Sequence, residues 1–137
     1  MRTETHTILF VDDEPWLSEA LRWALEGRGF NCVSKEDVSS ALRYMQSNNV
    51  SVLVTDIMMP GGPDFPDVDS LEAGFYFVSK VRRDWPAVSV ICLSVIGDQQ
   101  KIRALKRLNV QYLRKGETPL QTAIALIESK ATGRYSF

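Results

Sequence analysis

Five side chains in this sequence are of types that can do chemistry together: Asp12 and Asp13, Asp56, Ser94 and Lys115. Each follows an apolar run: Ile8-Leu9-Phe10-Val11 before the acid pair, Val52-Leu53-Val54 before Asp56, Val88 to Leu93 before Ser94, and Val110 to Leu113 before Lys115. Three carboxylates gathered in one crevice repel strongly unless some are protonated or a cation sits among them. A hard divalent ion such as Mg²⁺, which takes oxygen ligands, fits better than zinc, because the single histidine, His6, lies near the start of the chain. A lysine and a serine on the opposite side suit a phosphoryl group, one as a mobile positive charge and the other as a hydrogen-bond donor. A carboxylate facing that arrangement can act as nucleophile and become an aspartyl phosphate. Asp56, at the end of the middle apolar run, is the candidate.

For these residues to meet, the elements carrying them must converge. Short apolar runs alternate with helical patterns along the chain. Leu17, Leu21 and Leu25 share one helical face, with Pro15 at its start and Gly27 and Gly29 at its end. Asn31 to Ser34 reads as a weaker strand, and Val38, Ala41, Leu42 and Met45 as a second amphipathic helix. A third helix carries Leu71, Phe75 and Val78 on one side, a basic fourth runs from Gly97-Asp98 through Arg107, and a fifth turns Leu120, Ile124 and Ile127 inward. Five such repeats predict an α/β fold with one doubly wound parallel sheet. The runs at 8–11, 52–54 and 88–93 are apolar almost throughout, as central strands should be, which matches the flavodoxin-like (βα)5 order 2-1-3-4-5. Ligands of such sheets bind beyond the carboxyl ends of the strands, where the order reverses. The five polar residues above all belong to that edge.

The 137 residues, 45% of them hydrophobic, suit one domain with one core. Apolar runs are too short to span a bilayer and no signal-peptide core opens the chain, so the cytoplasm is the expected compartment. Cys32 and Cys92 read as buried thiols. The net charge of -1 gives no overall footprint for nucleic acid, but residues 1–68 carry 5 basic and 11 acidic side chains, whereas residues 69–137 carry 11 basic and 6 acidic.

Asp12-Asp13, the Thr55-Asp56-Ile57-Met58-Met59-Pro60 segment, Ser94 after Ile91-Cys92-Leu93, and Tyr112-Leu113-Arg114-Lys115 together resemble the receiver domain of two-component response regulators, a chemotaxis-receiver-like fold. The resemblance implies one receiver domain over residues 1–137, with a core of about 7–129. It implies a phosphorylation switch in which Asp56 takes a phosphoryl group from the phosphohistidine of a histidine kinase or phosphotransfer protein. Mg²⁺ would be held by Asp13, Asp56 and the main-chain carbonyl of Met58, with Asp12 acting through water. Lys115 would pair with the phosphate, Ser94 would move to bond it, and Tyr112 would swing inward behind Ser94. An unidentified downstream protein, or a second copy, would then read the fourth helix, fifth strand and fifth helix. The chain ends soon after the fifth helix, at Gly133 to Phe137, so contacts with proteins rather than DNA or membrane are the expected output.

Several residues depart from the family's pattern. An enlarged loop, residues 61–69, intervenes after Pro60, and Gly74 takes late the place of an earlier glycine. Its Pro and Gly content predicts a structured excursion over a helix, which either gates kinase access, forms a contact surface or is a tolerated insertion. Asp64, Asp67 and Asp69 lack calcium-loop spacing and are assigned no metal. Gly116 stands where a cis proline is common, so the loop is expected to be trans or strained. Met58 and Ile96, two residues after Asp56 and Ser94, are apolar and cannot orient water, which predicts a long-lived phosphorylated state. Trp16 either lies over the metal site or packs at the helix start, while Trp23 reads as a surface or edge-packing residue. Lys101, Arg103, Lys106 and Arg107 are either a partner-binding patch or a solvated helical face. The competing functional reading is a receiver-like binding module that no longer uses phosphate. A Mg²⁺-dependent phosphatase with an aspartyl nucleophile is disfavoured, because Met58 stands where such enzymes place a second acid.

Overall fold

A computed structural model of the chain describes residues 6–14 and 16–133, without the side chains of Trp16 and Leu17. The expectations placed on Pro15, on the side chains of Trp16 and Leu17, and on residues 134–137 therefore lie outside the described residues. Five strands alternate with five helices: β1 (Thr7–Val11), α1 (Trp16–Glu26), β2 (Asn31–Lys35), α2 (Val38–Ser47), β3 (Val52–Thr55), α3 (Ser70–Asp84), β4 (Ser89–Ser94), α4 (Gln99–Arg107), β5 (Gln111–Arg114) and α5 (Leu120–Thr132). All strand pairs are parallel and the order is β2-β1-β3-β4-β5, as the alternation predicts.

The two-residue period of a strand divides the core between the two faces of the sheet. Leu9, Val11, Leu53, Val90 and Cys92 pack against α2, α3 and α4 through Val38, Leu42, Met45, Phe77, Val81 and Leu105. Ile8, Phe10, Val52, Val54, Ile91 and Leu93 face α1 and α5 through Leu21, Leu25, Ile124 and Ile127. The central strands are buried on both sides and need apolar residues at nearly every position, whereas β2 and β5 at the edges are only partly covered.

Aspartates start three of the helices. Asp37 accepts from the Ser40 amide before α2, Asp69 from Leu71 and Glu72 before α3, and Asp98 from Gln100 and Lys101 before α4. Some expectations are corrected. The buried line of α3 is Ala73, Gly74, Phe77, Val78 and Val81, while Leu71 and Phe75 are half-buried on its flank. The cause is Gly74: an added Cβ there would lie 1.6 Å from the Ile57 carbonyl oxygen, so the helix presses its glycine face against the segment after β3. Leu120, the first residue of α5, is exposed rather than inward, and Cys32 on edge strand β2 is half-buried while Cys92 is fully buried. Trp23 is on the surface, with 66% of its area exposed. Among the described residues, no helix is long and apolar enough to cross a membrane.

Candidate functional site

Register brings the site together. The Asp56 amide donates to the Val11 carbonyl (3.0 Å) and the Lys115 amide to the Ser94 carbonyl (2.8 Å), so the carboxyl ends of β1, β3, β4 and β5 lie at one level. Lys115 Nζ donates to Asp12 Oδ2 and to Asp56 Oδ2, 2.8 Å in each case. The lysine side chain is only 6% exposed and the two aspartates are nearly as buried, so three charges share a poorly hydrated space. The remaining oxygens are bonded too: Asp12 Oδ1 accepts from the Glu14 amide (2.9 Å) and Asp56 Oδ1 from the Met58 amide (3.1 Å). Burial lifts the Asp12 carboxyl above its ordinary value, even though its bond to Lys115 works in the opposite direction. Burial by itself would weaken the Lys115 ammonium, but the bonds to Asp12 and Asp56 prevail and hold its pKa above the usual lysine value.

Beside this triad opens a cavity of about 470 Å³ lined by Asp13, Glu14, Asp56, Met58, Pro60, Val68, Ser70, Val95 and Lys115. Asp13 is exposed at its rim, and Asp56 and Lys115 form part of its wall. Among the described residues, no three Asp, Glu, His or Cys side chains are grouped closely enough to hold an ion by themselves. The donors that do face the cavity fit a hard cation: three carboxylates, Asp13, Glu14 and Asp56, together with Met58, which can supply a main-chain oxygen.

Ser94 is fully buried and does not line the cavity; its Oγ accepts a long bond from the Ile96 amide (3.5 Å). The half-buried Tyr112 donates its hydroxyl to the Ile96 carbonyl, with the Ser94 carbonyl 3.4 Å away, and burial raises its pKa. Tyr112 thus points inward and ties down the loop after β4. The Lys115–Gly116 bond is trans, since no peptide among the described residues is cis, and Gly116 takes φ +82°, a conformation open to glycine.

The enlarged loop is fastened to the start of α2. Val38 and Ser39 donate their amides to the carbonyls of Pro60 and Gly61, Ser39 Oγ donates to the Gly61 carbonyl (2.8 Å) and accepts from the Asp64 amide (3.1 Å), and Arg43 pairs with Asp64 at 3.4 Å. Phe65 packs against Tyr76 of α3 with ring centres 5.2 Å apart and planes inclined at 54°. This is the structured excursion that its composition predicts. Sequence reasoning missed its consequence, which is that Val68 and Ser70 form one wall of the acidic cavity. It also passed over Glu14, whose position next to the acid pair was the available signal. Of the basic residues on α4, Lys101 pairs with Asp98 at 3.3 Å, whereas Arg103, Lys106 and Arg107 are exposed.

A doubly wound sheet with an acid pair, a central aspartate and a lysine at its switch point is the arrangement of a signalling receiver. The response regulator receiver domain family matches residues 8–126, and the chain belongs to that family. It is 30% identical over 130 residues to the KDP operon transcriptional regulatory protein KdpE of Escherichia coli, covering 91% of this chain and 53% of that one. It is 27% identical over 131 residues to the response regulator GtcR of Aneurinibacillus migulanus, covering 96% and 50%. The chain thus spans about half the length of these two relatives. Its fold matches a CheY-like receiver domain protein from Methanospirillum hungatei with a TM-score of 0.78 at 16% identity, covering 95% of this chain and 96% of that one. A signal receiver domain from Pseudomonas fluorescens gives 0.79 at 18%, covering 97% and 91%.

Proposed function

We propose that this receiver domain accepts a phosphoryl group on Asp56 from the phosphohistidine of a histidine kinase or phosphotransfer protein. The observation that carries the proposal is the 2.8 Å contact of Lys115 with an Asp56 that borders an open cavity. A carboxylate oxygen of Asp56 attacks phosphorus, the P–N bond to the donor imidazole breaks, and the leaving imidazole takes up a proton. Lys115 exchanges its contact with Asp56 for one with the added phosphoryl oxygens, so the buried ammonium keeps a negative partner throughout. Receivers of this family generally bind Mg²⁺ at the acidic pocket; Asp13, Asp56 and the Met58 carbonyl would hold it here, with Asp12 acting through water. When bound, the ion offsets charge on the phosphoryl oxygens.

Ser94 lies out of contact with the cavity, so it has to move to meet the phosphate, and Tyr112 is the side chain bonded to the loop that would move with it. The charge added at Asp56 thereby biases the β4–α4 loop, and protein partners read the change on α4, β5 and α5. The same face would pair two copies if the domain dimerises. The test is intact-mass measurement after incubation with Mg²⁺ and acetyl phosphate. One added phosphoryl group, lost in Asp56→Asn, is the expected result; no adduct at any Mg²⁺ concentration overturns the proposal in favour of a phosphate-independent binding module.

A further inference from the structure

At the opposite end of the sheet from Asp56, a second cavity of about 550 Å³ opens beneath the first residues of β4 and β5. Its volume lies within the range of small-molecule sites. Three cations line it, each from a different helix or its end: Arg82 of α3, Lys106 of α4 and Lys130 of α5. No acidic side chain is among the lining residues, and neither Lys106 nor Lys130 has an ion-pair partner among the described residues. Arg82 spends Nη1 on the Val88 carbonyl (2.7 Å), but its Nε is buried without any hydrogen bond. An unpaired buried donor is costly, and a guanidinium is suited to bonding phosphate oxygens. Ser89, Asn109 and Gln111 add neutral donors. Exposed Pro86 and Ala87 supply its reachable apolar surface, while Val88, Val90, Ile102 and Val110 lie buried behind it.

A cluster of like charges left unneutralised around one hollow is unfavourable, and a bound anion relieves it. The cavity is too large for a lone inorganic ion, and its apolar wall has no use for one. We infer that this cavity binds a phosphate-bearing small molecule with an apolar body, of mononucleotide size, with its phosphate among Arg82, Lys106 and Lys130 and its body against Pro86 and Ala87. Such a site is separate from the acidic cavity, with which it shares no lining residue.

Backbone amide NMR spectra titrated with AMP, with adenosine and with inorganic pyrophosphate test it. AMP should give saturable shifts centred on Ser89, Asn109 and Gln111. The Lys106→Ala/Lys130→Ala variant, altered at one exposed and one half-buried position, should weaken AMP binding roughly tenfold or more. Its dispersed spectrum reports that the fold is intact, and added salt should weaken AMP binding to the unaltered protein. Adenosine binding as tightly as AMP overturns the phosphate subsite, and pyrophosphate binding as tightly as AMP overturns the apolar one. Shifts that never saturate, that centre on Asp13 and Lys115, or that survive the double substitution overturn the site itself.

Discussion

Lys115 stands between Asp12 and Asp56, with its ammonium 2.8 Å from a carboxylate oxygen of each. Removing it leaves two buried carboxylates facing one another without a counter-charge. Breaking a buried pair in this way costs about 3–5 kcal/mol. Lys115→Ala should lose that much stability in urea titrations carried out with a chelator, and should recover part of it in millimolar Mg²⁺. Equal destabilisation with and without Mg²⁺ would count against a cation site formed by Asp13 and Asp56.

Gly74 is where α3 touches the backbone leaving Asp56. A methyl at this position would meet the Ile57 carbonyl oxygen at 1.6 Å, and the obstacle is main chain, which cannot rotate aside. Overpacking of this kind costs roughly 1–3 kcal/mol. Gly74→Ala should lower the denaturant midpoint. It should also slow phosphorylation by acetyl phosphate, because the displaced segment carries Met58, whose amide holds Asp56 Oδ1.

The buried hydroxyl of Ser39 bonds both the Gly61 carbonyl and the Asp64 amide. Ser39→Ala leaves the Asp64 amide without its acceptor, at a cost of about 1–3 kcal/mol. The expected readout is faster amide exchange confined to residues 61–69, with the exchange of β1 and β3 amides unchanged. If those central strands exchange faster as well, the fastening is part of the global fold rather than a local clamp.

The sheet and its acidic edge were legible because burial on both faces leaves β1, β3 and β4 apolar at nearly every position, and because each such run leads into a polar residue that the site uses. The buried line of α3 was not. Leu71, Phe75 and Val78 do lie toward the core, the first two only partly buried, but the close approach of Gly74 to Ile57 seats Ala73, Phe77 and Val81 deepest. That approach is a tertiary fact without a periodic signal. That Lys115 faces the site could be read from its place after the last strand, but its direct pairing with Asp12 and Asp56 could not, because residue types alone assign the acids Mg²⁺ as their cation and Lys115 the phosphate. The wall that Val68 and Ser70 add to the cavity could not, because it depends on the excursion being bonded to α2 through Ser39. The three cations of the second cavity come from separate helices, far apart in the chain, and only the fold assembles them.

Asp98 starts α4, the helix expected to carry the output. Its carboxylate accepts from the Gln100 amide first and from Lys101 second, and these bonds hold it below the ordinary aspartate value of 3.8. A depressed folded-state value contributes stability that is present above 3.8 and is lost as pH falls through the folded value. Urea midpoints of the natural protein and of Asp98→Asn should therefore differ at about pH 5 and converge towards about pH 2. A gap that persists in acid would mean that the cap acts through its shape and not its charge.

Met58 lines the acidic cavity with 44% of its surface exposed, and Ile96 is half-buried with its carbonyl committed to Tyr112. Neither side chain can accept a proton from, or orient, a water molecule approaching an acyl phosphate on Asp56. The phosphorylated form should therefore outlast purification, and intact mass followed over time should show loss over minutes or longer rather than seconds. Met58→Asn places an amide at the same rim without adding charge. A hydrogen bond that holds the attacking water in line should speed hydrolysis roughly tenfold, corresponding to about 1.4 kcal/mol of barrier. Rapid loss from the natural protein would mean that another group at the cavity, of which Glu14 is the nearest in type, already positions the water.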